Sequence, residues 1–360
     1  MDFEEFREKL KEDLAERLYD RTGDDFAITS SSVAKLQNAG YEGISVRKEG
    51  EAVGVNLDVA SFYKDIESGK IDYDTALAKI TDVAYRGFEE APVFNVSELS
   101  NYDIMKEHLS MQVVATERNA EMLESIPHKE IEDMSVVCRF IVSTDKEGIG
   151  SILVTNQLLQ NMNVTEEQLF ADAQKYAPDL RPSEIRGMAD ILAEMMGVDV
   201  SELENQFGGA MGQPEIPMYV ATTQDKTNGA GIIAYPGFME MAAEKLGGDF
   251  FLLPSSVHEV ILIPDRPDMK YSELENMVKE VNATQVDERD QLSDHVYHYD
   301  AKERVFELAE KFDARKKERT AEKQAEKDSV LKDLSDKKKE VADTPKVKTD
   351  KALKKDAVAL

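Results

Sequence analysis

Residues 218–264 constrain the fold most, because short apolar runs alternate there with turn-forming residues in the order MYVATTQDKTNGAGIIAYPGFMEMAAEKLGGDFFLLPSSVHEVILIP. Runs this short, bounded by Gly, Pro, Asn and Asp, are typical of strands and short helices. The order predicts a strand, a glycine turn at Asn228–Gly231, a second strand up to Tyr235, a helix, and two further strands that end at Pro264.

The same strand–turn–strand–helix order occurs earlier in the chain. There, Gly148 corresponds to Gly229 and Gly150 to Gly231. A helical insert is predicted between the two units, beginning with a capping box at Thr165 and including a helix through Met196 with Pro182 in its first turn. We therefore expect an α+β fold with antiparallel or mixed sheet built of these units, a helical insert, and a charged C-terminal helix or tail.

The N-terminal region predicts an amphipathic helix over residues 3–20, because Phe3, Phe6, Leu10, Leu14 and Leu18 recur at helical spacing. A small antiparallel sheet and two further helices follow. The predicted domains are residues 1–95, a helix and small sheet; residues 104–312, the main α+β domain; and residues 313–360, a tail that is helical to about residue 341 and disordered after Pro345.

The net charge of −28 is unevenly distributed. Residues 313–360 hold 15 Lys and Arg against 11 Asp and Glu, so the first 312 residues hold 29 bases and 61 acids, a net of −32. Such an acidic body repels a phosphate backbone, which makes nucleic-acid binding unfavourable for the body and leaves it as a weak alternative for the basic tail. The charge either keeps the protein soluble or forms a surface for a basic protein partner.

The start of the chain carries charges throughout and has no apolar segment typical of a signal peptide. No apolar run approaches the roughly 18 residues that a membrane helix needs. We therefore expect a cytoplasmic protein with no membrane contact. The single cysteine, Cys138, lies in an apolar run, which predicts a buried thiol and excludes an internal disulfide or a cysteine-based metal cluster.

The candidate binding residues are Ser255, Ser256, His258 and Glu259, in the motif P-S-S-V-H-E. A zinc-protease motif needs a second histidine one helical turn later, but Leu262 occupies that position. In a strand, Ser256 and His258 share a face, although no acid nearby in the sequence orients the imidazole. The alternative is a polar turn with a histidine exposed on an antiparallel strand.

No other group predicts a catalytic, metal or cofactor site. His295 and His298 fall on opposite faces of a predicted strand, and Asn228–Gly231 lacks the lysine and the following helix of a phosphate loop. His128 begins an acidic segment with Glu130, Glu132 and Asp133, which we interpret as solvated. Arg139 interrupts an apolar strand, so it either lies at a sheet edge or pairs with a carboxylate of the helical insert.

The segments ATERNAEMLESIPHKEIEDMSVVCRF and NGAGIIAYPGFMEMAAEKLGGDFFLLPSSVHEVILIPD, with the motif P-S-S-V-H-E, resemble a bacterial family of unknown function. The chain is also distantly similar to a second uncharacterised bacterial family. The resemblance covers roughly residues 104–312, with weaker likeness around NLDVASFYKDIESGK, and leaves the tail outside. It implies an intracellular bacterial protein and carries over no activity or cofactor.

The sequence therefore predicts a non-catalytic intracellular binding or adaptor protein whose acidic surface meets a protein partner. This prediction rests on the observation that the sequence matches no catalytic, metal-binding or phosphate-binding pattern. The alternative is an enzyme or small-ligand-binding domain that uses the turn at Ser255–Glu259, so enzymatic activity stays open at this point.

Overall fold

The computed structural model describes residues 1–33, 35–38, 40–51, 54–89, 99–144, 149–199 and 217–343. Its helices are α1 (Phe3–Thr22), α2 (Ala60–Glu67), α3 (Tyr73–Glu89), α4 (Tyr102–Met105), α5 (Ala120–Leu123), α6 (Asn156–Met162), α7 (Glu166–Leu180), α8 (Met188–Met196), α9 (Phe238–Leu246), α10 (Tyr271–Thr284) and α11 (Ala309–Asp343). Short 3-10 helices cover Leu36–Asn38, Lys106–His108, Glu117–Asn119 and Gly229–Ala234. All strand pairs of the described residues are antiparallel, which confirms the predicted α+β class.

The strands are β1 (Phe26–Val33), β2 (Tyr41–Lys48), β3 (Gly54–Asp58), β4 (Leu109–Ala115), β5 (His128–Ile131), β6 (Met134–Thr144), β7 (Ile149–Leu153), β8 (Ser183–Gly187), β9 (Tyr219–Thr223), β10 (Phe250–Leu253), β11 (Val260–Pro264), β12 (Tyr297–Asp300) and β13 (Val305–Leu308). They form a sheet of order β1-β2-β3, a second sheet in which the long β6 pairs with β4, β5 and β7, and a six-stranded sheet of order β13-β12-β10-β11-β9-β8.

The N-terminal region forms a hydrophobic core of its own between α1 and the first sheet. Phe6, Leu10, Leu14 and Leu18 of α1 are fully buried, as their helical spacing predicts. Asp2 caps this helix in a capping box with Glu5, which satisfies two main-chain N–H groups that lack helical partners. The predicted amphipathic helix and small antiparallel sheet are therefore confirmed.

The main hydrophobic core lies on one face of the six-stranded sheet and extends to the second sheet. Successive side chains of a strand point to opposite faces of its sheet. Phe250, Leu252 and Leu262 therefore point into this core, whereas Phe251 and Ile263 point to the opposite face. Helix α10 covers that opposite face with Leu274 and Val278. The strands that end at Leu253 and Pro264 agree with the sequence prediction.

Two element predictions are wrong. The predicted second strand of the later unit is the 3-10 helix Gly229–Ala234, so the two units share a helix but not a strand pair. Pro182 precedes strand β8 rather than starting a helix, and α8 begins only at Met188. In both places packing against β9 overrides the local signal, since β8 pairs with β9 and the 3-10 helix lies beside it.

Residues 310–360 form a compact unit separate from residues 1–309. Helix α11 runs to Asp343, close to the predicted end near residue 341, and its side chains from Lys316 to Leu334 are exposed. The tail predicted to be disordered after Pro345 lies outside the described residues, as do residues 95–98 of the boundary predicted at residues 95–104. Among the described helices, none combines the length and apolar character needed to cross a membrane.

Candidate functional site

The predicted site residues form the tight connection between β10 and β11. The main-chain N–H of Ser255 donates to the carbonyl of Leu253 at 2.9 Å, and that of Ser256 donates to the carbonyl of Glu259 at 3.1 Å. The Ser256 hydroxyl accepts the main-chain N–H of His258 at 3.0 Å. These bonds close the turn on itself, so the Ser256 side chain faces the backbone of His258 rather than its ring.

The imidazole of His258 joins two other loops. Its Nδ1 accepts the main-chain N–H of Asn228 at 3.1 Å, and its Nε2 lies 3.4 Å from a carboxylate oxygen of Asp290. Because Nδ1 accepts, the proton of the neutral ring is on Nε2, towards Asp290. The sequence showed no acid for this histidine because Asp290 lies far along the chain. With both ring nitrogens engaged, the geometry offers Ser256 no imidazole base.

A chain of polar side chains continues from this histidine into the protein. The Nε2 of Gln112 donates to the side-chain oxygen of Asn228 at 3.3 Å, and Nη1 of Arg139 donates to Gln112 at 3.3 Å. Arg139 also donates from Nε to the hydroxyl of Ser151 at 2.8 Å. Burial lowers the pKa of the Arg139 guanidinium. Its hydrogen-bond partners in the described part of the chain are neutral, so the predicted ion pair with the insert stays a prediction.

The glycines after Asn228 allow close backbone approach. A Cβ at Gly229 would lie 2.1 Å from the hydroxyl of Thr222 and 2.5 Å from the carbonyl of His258. A Cβ at Gly231 would lie 2.1 Å from the carbonyl of Met111. Real side chains do not reach such distances, so these positions require glycine for packing. The structure thus gives this segment a packing role.

Residues 286–295, here called the strap, connect the turn to a second part of the domain. The carbonyl of Asp290 accepts the main-chain N–H of Val257 at 2.7 Å. The next carbonyl, that of Gln291, accepts Nε2 of Gln37 at 2.6 Å and Nη1 of Arg118 at 3.0 Å. The strap is therefore fixed by hydrogen bonds on both sides.

Gln37 is buried in the left-handed region, with φ of 63°, an uncommon conformation for a residue other than glycine. Its side-chain oxygen accepts the N–H of Ala115 at 3.1 Å and Nδ2 of Asn119 at 2.7 Å, while its own N–H donates to Asn119 at 2.6 Å. This network, the Gln37 clasp, joins the N-terminal region to the main domain. No sequence pattern indicates it, because its members are isolated amides far apart in the chain.

A cleft of about 480 Å³ lies beside the strap. One wall is fixed by Asp133, whose carboxylate accepts the hydroxyls of Ser293, at 2.7 Å, and Tyr297. Burial, together with this carboxylate, raises the pKa of Tyr297 well above its usual value, so it stays a hydrogen-bond donor. The cleft carries side chains of both charges. They are Glu117, Arg118, Asp133 and Asp294, and the rest of the lining is His295, Ala115, Asn282, Gln291, Leu292 and Ser293.

The exposed side of α1 carries a row of acidic residues at every fourth position, here called the acidic ridge. Residues four apart lie on one face of a helix, so these carboxylates form a continuous line. Its first two members pair with bases of the same helix, Glu4 with Arg7 at 2.6 Å and Glu8 with Lys11 at 2.7 Å. The members are Glu4, Glu8, Glu12, Glu16 and Asp20, all exposed.

The remaining candidates are separated by the fold. Nδ1 of His295 lies 3.4 Å from Glu275, whereas Nε2 of His298 lies 3.2 Å from Asp265, so the two histidines do not share a site. His128 bonds through Nδ1 to the carbonyl of Ile126 at 2.9 Å.

Cys138 is buried as predicted. Burial raises the pKa of its thiol to about 12, which keeps it protonated at neutral pH.

The comparisons with known proteins give one finding. A model of a family of unknown function, DUF5688, matches residues 3–301. The match confirms the resemblance to an uncharacterised family and extends it through the N-terminal region, while residues 302–360 lie outside it. No curated protein and no solved structure shows significant similarity to this sequence. Because the match covers most of its length, the chain belongs to the DUF5688 family, whose function is unknown.

Proposed function

We propose that this chain is a non-catalytic binding protein of the bacterial cytoplasm that meets a basic protein partner through its acidic body. The observation that carries the proposal is the acidic ridge on α1, set in a body of 312 residues with 29 basic and 61 acidic side chains. Complementary charge accelerates encounter and selects against partners of like charge. Nucleic acid is such a like-charged partner, so a basic protein surface fits this body best.

The geometry of the turn at Ser255–Glu259 supports a non-catalytic role. Both imidazole nitrogens of His258 hold loops in place, and the Ser256 hydroxyl accepts a main-chain N–H. A histidine activates a serine only when a free imidazole nitrogen lies within hydrogen-bond reach of the serine oxygen. The described arrangement uses these groups for structure instead.

The test is to isolate the protein with its partner from the source cells at low ionic strength and to measure the affinity of the purified pair. Neutralising the outer ridge with Glu12→Gln, Glu16→Gln and Asp20→Asn is expected to weaken binding at least tenfold and to reduce its salt dependence. A matched triple on the body, Asp268→Asn, Glu273→Gln and Glu280→Gln, should leave the affinity nearly unchanged. Equal effects of the two triples, or none from the ridge triple, would contradict the proposal.

A second candidate function is binding of a small polar ligand in the cleft beside the strap. The cleft has a size typical of ligand sites and presents Arg118, Asn282 and His295 next to carboxylates. The strap connects it to the turn at Ser255–Glu259 through Asp290.

Native mass spectrometry of the gently purified protein tests for such a ligand. If one is found, His295→Ala, which alters a residue of the cleft lining, should weaken its binding at least tenfold without changing the melting temperature. The exposed His108→Ala is the control, and unchanged binding by His295→Ala would place the ligand elsewhere.

A further inference from the structure

Three adjacent strands bring one histidine and two aspartates to the same face of the six-stranded sheet. Asp249 precedes β10 and lies two residues before Phe251, Asp265 follows β11 two residues after Ile263, and His298 lies within β12. Phe251 pairs with both Ile263 and His298 in the ladder. Because side chains alternate along a strand, all three ligating groups point to the face that carries Phe251.

The three side chains converge closely. One ligating atom from each lies within 4.8 Å of those from the other two. The Nε2 of His298 is 3.2 Å from an oxygen of Asp265, and the side chains of these residues are 0% and 19% exposed, respectively. The main-chain N–H of Asp265 donates to the carbonyl of Asp249 at 2.9 Å, which extends the ladder and holds the carboxylates side by side.

Neighbouring groups fix the orientation of these side chains. The ring of Phe251 meets the imidazole of His298 edge to face, with centroids 5.0 Å apart. One carboxylate oxygen of Asp249 accepts the main-chain N–H of Ala301 at 2.9 Å, which leaves its other oxygen for a ligand. Such outer contacts orient the ligands of metal sites in proteins.

We propose that Asp249, Asp265 and His298 bind one divalent cation of the first transition series, of which Zn²⁺ is the representative. An ion pair with His298 would need only the carboxylate of Asp265. The carboxylate of Asp249, placed so close, repels that of Asp265, and a bound dication would remove this repulsion. One imidazole nitrogen with two carboxylate oxygens suits Zn²⁺ or Mn²⁺ rather than Mg²⁺ or Ca²⁺, which prefer oxygen alone.

Small side-chain rotations suffice for coordination. Bonds of about 2.1 Å to a tetrahedral ion place the ligating atoms roughly 3.4 Å apart, close to the separation between His298 and Asp265. Three protein ligands leave a fourth position for water or for a group of a bound molecule. This site lies apart from the acidic ridge and uses none of its residues, so it goes beyond the proposed function.

The test is titration of the metal-stripped full chain with Zn²⁺, followed by native mass spectrometry and calorimetry. We expect one equivalent to bind, and Asp249→Asn and Asp265→Asn to weaken binding at least tenfold each. Asp268→Asn removes an exposed carboxylate three residues from Asp265 and should bind Zn²⁺ like the wild type. Absence of a stoichiometric equivalent, or equal binding by Asp265→Asn and Asp268→Asn, would overturn the proposal.

A measurement on the wild-type protein is independent of whether the variants fold. The chain has 5 histidines, so its imidazole nitrogens give a small set of NMR signals. Zn²⁺ should move the signals of one ring, that of His298, identified in the wild type by its contact with the ring of Phe251. Shifts confined to exposed rings such as those of His108 and His295, or no shift at all, would contradict the assignment.

Discussion

At the scale of single residues, no pattern in the sequence indicates that the guanidinium of Arg181 is buried or which groups it binds. Its side chain is 6% exposed, and it donates from Nε to Asp225 at 2.7 Å and from Nη1 to Ser110 at 2.9 Å. Burial opposes ionisation of Asp225, but the hydrogen bonds from Arg181 and Thr227 outweigh it and hold the pKa of this carboxyl below its usual value. The pair thus couples stability to pH.

Asp225→Asn is expected to lower the free energy of unfolding at pH 7 by about 2–3 kcal/mol, because it leaves a buried guanidinium without its counter-charge. The cost is below that of a fully buried pair, since the Asp225 side chain is 29% exposed. Urea unfolding measures it. The exposed Asp268→Asn is the control and should change stability by less than about 0.5 kcal/mol.

The same pair predicts a pH dependence. The folded-state pKa of Asp225 is depressed, so its contribution is fully present above the ordinary value of 3.8 and is lost as the pH falls through the lower folded-state pKa. As the pH falls below 3.8, the wild type should therefore lose stability more steeply than Asp225→Asn. Parallel curves for the two proteins would show that this carboxyl does not titrate as described.

At the scale of elements, the 3-10 helix Gly229–Ala234 shows how packing overrides local pattern. The apolar run after Gly231 matches a buried strand, and short apolar runs do not distinguish strands from other buried segments. The close contact between Gly231 and the carbonyl of Met111 in β4 places this segment against the second sheet instead. Packing against β4, and not the local sequence, therefore determines that this segment is a 3-10 helix rather than a strand.

Gly231→Ala is expected to destabilise the protein by about 3 kcal/mol or more, because its Cβ would meet the Met111 carbonyl at 2.1 Å. Gly237→Ala is a matched control in the same loop region, since its Cβ would meet open space and only its φ of 76° is unfavourable. That control should cost about 1 kcal/mol. Thermal unfolding compares the two, and equal losses would show that the contact with β4 is not tight.

At the scale of the whole molecule, residues 1–309 form one compact unit that contains several hydrophobic clusters. The proposed division into residues 1–95 and 104–312 follows the separate core of the N-terminal region. The Gln37 clasp and the contact of Leu36 with the cluster around Val114 connect this region to the main domain.

Gln37→Ala is expected to separate the unfolding of the two proposed domains, because it removes the acceptor of the Ala115 N–H and one of the two acceptors of Asn119 Nδ2, at a cost of about 2 kcal/mol. Hydrogen exchange should show earlier opening of β1–β3 than of β10–β12. Exposed Gln285→Ala is the control. Opening of all strands at one free energy in Gln37→Ala would argue for a single cooperative domain.

Truncation after Thr320 is expected to leave the melting temperature of the body unchanged within about 1 °C, because the side chains from Lys316 to Leu334 are exposed and bury no core. Differential scanning calorimetry of the two proteins tests this. A fall of several degrees would show that the tail stabilises the body. The family match ends at residue 301, before the tail.

The sequence by itself determined the periodic elements. The spacing of Leu10, Leu14 and Leu18 predicts α1, and the runs ending at Leu253 and Pro264 predict their strands, because these patterns act between residues near in the chain. The acidic body and the buried Cys138 likewise follow from composition and local pattern. The turn at Ser255–Glu259 was predicted, but not the contact of His258 with Asp290.

Only the tertiary structure decided which side chains meet. Asp290 reaches His258 through the strap, and Asp249, Asp265 and His298 meet because three strands pair in one register. A register is fixed by hydrogen bonds and burial between distant segments, and no local pattern carries that information. The turn and helix α1 were therefore predictable from the sequence, whereas the Gln37 clasp, the Arg181–Asp225 pair and the proposed metal ligands depend on long-range pairing.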